Sequence, residues 1–190
     1  MTTKKLEIEV KIKVDQIEEI KRKIINLGFW IIAPYSFERN ILFDTKDERL
    51  RDNGLLLRLR KVDNKYIVTL KRPPGQSPDT SDYKIREETE IEVSDFENTK
   101  TIFAGLGFEV YFIYEKYREI YDNGQVKIMM DHTPIGDFIE IEGDADKIDQ
   151  AAAQLGYNKA DYITDNYMTL FRKKQKTGFM QFKSPKTTDQ

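Results

Sequence analysis

The chain has 190 residues, with 31 Lys plus Arg against 33 Asp plus Glu, 39% hydrophobic residues and no cysteine. That length suits one domain of roughly 100–200 residues, and a net charge of -2 argues against a nucleic-acid surface built on bulk positive field while leaving room for a local basic site. Without cysteine there is no disulfide scaffold, Cys-ligated zinc, iron–sulfur cluster or thiol nucleophile, and the lone His132 excludes a His-rich metal site.

Residues 6–14, Leu-Glu-Ile-Glu-Val-Lys-Ile-Lys-Val, alternate strictly and predict a strand with one charged and one apolar face. Asp15 and Glu18 then have capping-box spacing, and Ile17, Ile20, Ile24 and Leu27 recur at helical intervals up to Gly28. Strands are expected over residues 37–44, 55–62 and 66–71, the last two joined by the turn Asp63-Asn64-Lys65. Residues 73–82 are a loop by composition.

The same order then repeats. Residues 86–93 alternate like the first strand, Ser94 and Glu97 have capping-box spacing, and the helix carrying Phe96, Ile102, Phe103 and Leu106 ends, like the first, at a Leu-Gly-Phe. Strands over 111–121, 126–131 and 138–142 follow, with Asn123-Gly124 as a hairpin turn. A further helix opens at Asp144 and ends at Gly156. The chain therefore reads as one domain over residues 1–172, built of two related halves, about 5–72 and 85–143, and C-terminal helices. The Lys-rich stretch 173–190 has no period and is expected to fray. No apolar run reaches the roughly 20 residues of a membrane helix and the first residues lack a signal-peptide core, so a soluble, cytoplasmic protein is expected. About eight strands and three helices make an antiparallel α+β fold.

Alternation gives every strand a charged face, and the charges are sorted. Glu7, Glu9, Glu88, Glu90, Glu140 and Glu142 fall in pairs two apart, as do Arg58 with Arg60 and Lys116 with Arg118. Like charges two apart on one face repel unless a counterion lies between them. An antiparallel sheet with a solvated outer face would account for alternation alone. The sorting points instead to a cation against the acids and a polyanion against the bases, and the paired Arg forks suit phosphate. A sheet of about eight strands can close into a barrel with room for side chains or one small ligand, although alternation by itself does not show closure.

The motif Glu7-Ile8-Glu9-Val10-Lys11, then Arg39 to Asp44, Leu57-Arg58-Leu59-Arg60, Leu70-Lys71, Arg86-x-Glu88, Glu115-Lys116-Tyr117-Arg118, Met130-Asp131 and Gly136 to Glu142 resembles, in order and parity, the CYTH proteins or triphosphate tunnel metalloenzymes. This family includes class IV adenylate cyclases, thiamine triphosphatases and tripolyphosphatases. The resemblance implies an eight-stranded antiparallel tunnel with a charged lumen. It implies Glu7, Glu9, Glu140 and Glu142 as ligands of Mg²⁺ or Mn²⁺, and Lys11, Arg39, Arg58, Arg60, Lys71, Arg86, Lys116 and Arg118 as the phosphate clamp. Lys11, Asp131, Glu88 and Glu90 are the candidate catalytic groups, Lys127 shares the inward parity, and Tyr162 and Tyr167 are candidates to close one tunnel end. The activity implied is metal-dependent attack on a triphosphate, by hydrolysis or, as the alternative, by cyclisation of ATP to cyclic AMP and pyrophosphate. A non-catalytic triphosphate sensor is a third reading, and a homodimer is the assembly the resemblance suggests.

Overall fold

A computed structural model describes residues 5–75, 82–174 and 177–183. In it the alternating segments form eight strands: β1 (Lys5–Val14), β2 (Trp30–Thr45), β3 (Leu56–Val62), β4 (Lys65–Arg72), β5 (Lys84–Val93), β6 (Phe108–Asp122), β7 (Val126–Thr133) and β8 (Gly136–Gly143). They close into an antiparallel barrel in the order β1-β5-β4-β3-β2-β6-β7-β8. The expected closed α+β fold is therefore present. β1 pairs with β5, and β2 with β6.

The apolar strand faces point outward, because that is where the helices lie. Helices α1 (Ile17–Asn26) and, after β8, α4 (Ala145–Leu155) bury Ile20, Ile24, Ile148 and Leu155 against Val10, Ile12, Ile128 and Ile141. Helix α3 (Phe96–Gly105) covers Ile41, Phe43 and Leu59 through Phe96 and Phe103. The charged faces are left to line the lumen. A short α2 (Arg49–Asp52), not anticipated, is organised by Asp44, whose carboxylate accepts hydrogen bonds from the backbone N–H of Thr45, Leu50 and Arg51. No helix among the described residues is long and apolar enough to cross a membrane.

Two helix starts differ from expectation. Helix α1 begins after Gln16 without a side-chain cap, because the Asp15 carboxylate faces Lys13 at 3.5 Å instead. In α3 the cap is Asp95 rather than Ser94; its side chain accepts from the Asn98 N–H at 2.8 Å. Helix α4 opens at Asp144 as expected and ends at Gly156, which sits at a φ of +97° that favours glycine.

The C-terminal stretch departs most from the frayed tail expected of it. Helix α5 (Tyr167–Lys174) packs Tyr167 and Phe171 against Leu42, Phe112 and Phe138, all on lumen-facing parities, and so closes one end of the barrel. Residues 177–183 then run beside β6. β7 pairs with β6 only from Tyr117 onward, leaving backbone groups of Ile113 and Glu115 unpaired on that side. Met180 takes them up, its N–H donating to Ile113 O at 3.0 Å and its carbonyl accepting from Glu115 N–H at 2.8 Å. Its side chain is fully buried among Phe112, Tyr114 and Phe171. Residues 175–176 and 184–190 of that stretch, and 76–81 of the expected loop, lie outside the described residues.

Met180→Ala is expected to cost about 2–5 kcal/mol of stability, the range for truncating a buried large apolar side chain. Urea unfolding measures it. A loss below about 1 kcal/mol would mean that residues 177–183 do not hold this position in solution.

Candidate functional site

The barrel encloses a cavity of about 250 Å³ whose charged lining splits into two walls. All six carboxylates, Glu7, Glu9, Glu88, Glu90, Glu140 and Glu142, come from β1, β5 and β8, three adjacent strands. Arg58, Arg60, Lys71, Lys116, Arg118 and Lys127 come from β3, β4, β6 and β7 across the lumen, with Lys5, Lys11 and Lys84 set among the acids. Strand alternation produces this arrangement directly: β1 and β8 face each other with Glu9 opposite Glu142 and Lys11 opposite Glu140.

Each acid is matched by a base. Lys71 donates to Glu7 at 2.5 Å, Lys84 to Glu9 at 2.6 Å and Lys5 to Glu142 at 2.5 Å. Lys11 lies 3.1 Å from Glu140, donates to Asp165 O at 3.2 Å and sits over the Tyr167 ring at 4.5 Å. Arg58 donates to Thr69 at 3.0 Å and to Glu90 at 3.2 Å. Arg118 grips both oxygens of Asp131 at 2.5 Å and also bonds Glu140.

The pairing sets the protonation states. Burial alone would push the Glu9 carboxyl up, but Lys84, with Lys71 and Lys11, outweighs burial and the like charge of Glu140 and holds it at about 2. Glu140 is likewise pulled well below the carboxylate range against its burial, by Arg118 and Lys11. Glu88 is the exception: burial and the neighbouring Glu7 and Glu90 raise it, against the opposing pull of Lys71 and Arg58. Tyr114 moves the other way from an ordinary buried phenol, because Arg58, Lys116 and Arg60 lower it against desolvation.

Of the predicted residues, the four metal-wall glutamates, Glu88, Glu90, Lys11, Arg58, Arg60, Lys71, Lys116 and Arg118 all line the cavity. Three do not. Asp131 is wholly buried on the lumen-facing parity of β7 without lining the cavity, and accepts hydrogen bonds from Lys116, Arg118 and the Tyr167 hydroxyl. Arg86 turns its guanidinium onto the carbonyl of its neighbour Ile85 at 2.8 Å. Arg39 has the opposite parity to the inward Asn40 and stands on the outer surface. Tyr167 does help close the tunnel end, whereas Tyr162 donates to Asp149 beside Tyr83 on the outside.

Sequence reasoning missed Lys84, because the fifth strand was started two residues late; its parity matches Glu88 and Glu90 and would have placed it inward. Glu38 lies within the expected strand 37–44 but has no like-charged neighbour two residues on, so the pairing of charges did not single it out. It is buried on the inward face of β2 between Arg60 and Lys116, which, with Arg118 and Arg58, bring it to about 2 against the upward push of burial.

The carboxylates suit a hard divalent cation, which prefers oxygen donors, keeps several waters and needs only one or two carboxylates beside substrate phosphates. Among the described residues no three acidic or imidazole groups converge as a ready cage. The donor set fits in type, with Glu9 and Glu142 opposite each other and Glu7 and Glu140 beside them, and a cation there would compete with the lysines paired to these acids. Nine cations line the cavity against six carboxylates. A triphosphate, with a charge of about -4, would exceed that surplus, even before Glu38 and Asp131 are considered, and a divalent cation would make up the difference.

Comparison with known proteins agrees with this geometry. The CYTH domain model matches residues 5–167. A Methanocaldococcus jannaschii protein named "Putative adenylate cyclase" is 32% identical over 138 residues, 72% of this chain and 76% of the relative. A solved Pyrococcus horikoshii structure superposes with a TM-score of 0.72 at 29% identity, covering 86% of this chain and 98% of that one. A Hippeastrum protein, described as an adenylyl cyclase candidate with a dominant triphosphatase activity, shares the fold at a TM-score of 0.64 and 16% identity, over 89% of this chain and 95% of its own. With the family model spanning all eight strands and the opposed acid and base walls where alternation put them, the chain belongs to the CYTH domain family.

Proposed function

We propose that the protein hydrolyses a phosphoanhydride bond of a triphosphate, with Mg²⁺ or Mn²⁺, inside the barrel. The observation that carries the reading is the division of one cavity into an acid wall on β8, β1 and β5 and a basic wall on β4, β3, β6 and β7. A metal-bound polyanion is the ligand class that satisfies both walls at once.

In this reading Arg58, Arg60, Lys116 and Arg118 hold the non-bridging oxygens, with Asp131 fixing Lys116 and Arg118. Lys11, tied to Asp165 O and the Tyr167 ring, stands at the closed end. When bound on the Glu7, Glu9, Glu140 and Glu142 wall, the divalent ion supplies charge neutralisation at the phosphate oxygens. Water attacks the terminal phosphorus, the bond to the bridging oxygen breaks, and the leaving diphosphate takes the electron pair beside the basic wall. Glu88, whose raised affinity for protons sets it apart from its neighbours, accepts the proton of that water.

Cyclisation of ATP is the second reading, favoured by the name of the Methanocaldococcus relative. Hydrolysis is preferred because, among the described residues, the rings lining the cavity are Tyr114 and Tyr167, which pack against each other, Phe112 and Phe138, with Lys11 and Lys116 over the Tyr167 ring, an environment of charge more than of base-stacking surface. The test is incubation with tripolyphosphate, thiamine triphosphate and ATP, each with Mg²⁺ and with Mn²⁺, reading phosphate and cyclic AMP. Phosphate release in excess of cyclic AMP is expected. Cyclic AMP with pyrophosphate as the main product would replace hydrolysis by cyclisation. Absence of turnover, with triphosphate binding that survives Glu7→Gln and Glu9→Gln, would leave a sensor.

A further inference from the structure

Arg39 is part of the motif that carries the family resemblance, yet it does not face the tunnel. It stands half-buried on the outer surface of β2, and no hydrogen bond or ion pair engages its guanidinium among the described residues. Its cross-strand partner on β3 is Lys61, a second cation on the same face. On its other side the partner is Glu115, but both oxygens of that carboxylate are taken, by the Gln181 side chain and the Phe182 N–H, each at 3.1 Å. Like charges directly opposite across a ladder destabilise it unless an anion sits between them.

These two cations open onto a groove of about 520 Å³, also lined by Phe37, Ile41, Asp63, Phe96, Glu97 and Lys100. Lys100 is paired with Glu97 at 2.8 Å, which leaves Arg39 and Lys61 as the cations facing the groove without an ion pair among the described residues, with Asp63 the remaining acid. Phe37 and Phe96 present ring surface to the same space. Phe37 is 39% exposed, high for a phenylalanine held against Tyr117. A volume in the range of small-molecule sites, two cations in fork-and-point geometry and two aromatic walls select a ligand with an anionic end and a flat ring.

We propose that this groove binds a mononucleotide, with its phosphate on Arg39 and Lys61 and its base against Phe37 and Phe96. The site lies back to back with the tunnel across one thickness of sheet. Asn40 and Arg60, the immediate neighbours of Arg39 and Lys61, point the other way and bond each other at 3.1 Å on the lumen side. The two sites therefore share β2 and β3 without sharing a side chain.

The test uses the full chain, labelled for NMR and titrated with AMP and, separately, with inorganic phosphate. AMP is expected to shift Phe37, Arg39, Lys61 and Phe96 in a saturable way. Arg39→Ala should weaken that binding about tenfold or more, as loss of a charge-assisted hydrogen bond requires, and Arg39→Lys should keep part of it. Phe96→Leu should weaken AMP while leaving phosphate unchanged. AMP shifts confined to lumen residues such as Arg58 and Tyr114, an Arg39→Ala affinity equal to that of the unaltered chain, or equal affinity for phosphate and AMP would each overturn the proposal. Thermal unfolding of the three variants, expected to stay close to that of the unaltered chain, separates loss of the site from loss of the fold.

Discussion

Replacing Arg118 by Ala is expected to cost about 3–5 kcal/mol of stability and to lower turnover by about 10²–10³-fold. The stability loss follows from what the guanidinium holds together. Asp131 is completely buried and Glu140 nearly so, and Arg118 reaches both, from β6 to β7 and across to β8. Lys116 and the Tyr167 hydroxyl would still contact Asp131, at 3.0 and 2.6 Å, so the loss falls mainly on Glu140, left with Lys11 at 3.1 Å. The activity loss follows from the same geometry, because Arg118 presents its fork to the cavity as well as to the acids. Arg118→Lys is expected to recover part of the stability and little of the activity, since a point charge cannot serve three oxygens of two carboxylates and a phosphate. Urea unfolding and steady-state turnover measure the two. A stability change below about 1 kcal/mol would mean that Asp131 and Glu140 are not held through this residue.

Acidification should unfold the barrel in a window set by its lumen carboxylates. Glu9 and Glu38 are held at about 2 against an ordinary value of 4.5, and Glu140 is held well below it. A carboxylate depressed in the folded state binds fewer protons there than in the unfolded chain above its folded value. The stability it contributes is then complete above about 4.5 and disappears as pH falls toward about 2. Glu88 has the opposite sign: raised on folding, it adds a little stability as pH falls through its folded value toward 4.5, above the window in which the depressed groups lose theirs. Glu90 is lowered as well, through Thr69, Arg58 and Arg60 against its burial, so four depressed groups stand against one raised group and loss dominates below about 4.5. Circular dichroism across pH 2 to 6 should show cooperative unfolding below about 4.5, and Glu38→Gln should flatten that limb. A barrel equally stable at both ends of the range would contradict the paired lumen.

Much of this molecule could be read from the alternation of its strands. The parity of Leu6 to Val14, or of Leu57 to Arg60, fixes which side chains share a face, and the apolar side must meet the helices, so the charged side must face the lumen. Parity is local, however, and says nothing about which strands become neighbours. That the acids of β1, β5 and β8 form one wall depends on closure, a long-range outcome. Arg39 shows the limit of motif matching: it sits in a matching motif, but β2 turns Glu38, Asn40 and Leu42 inward and Arg39 out. Met180 shows the limit of composition. One buried methionine and one unpaired strand edge suffice to dock a polar stretch with no period of its own.

β1 lies between β5 and β8, so the first strand made is joined on one side by the last. Glu9 and Glu142 meet only when residues 133 positions apart in the chain come together. The acid wall is therefore incomplete in every partly folded form that lacks β8, and under the proposed reading a chain emerging during synthesis lacks two of the four proposed metal ligands until its eighth strand is available. In the proposed reading a bound ion stabilises against any opening that parts β1 from β8, local or whole-barrel. Local fraying of the N-terminal strand would itself release the ion, making the grip on metal a direct reporter of whether the seam is shut.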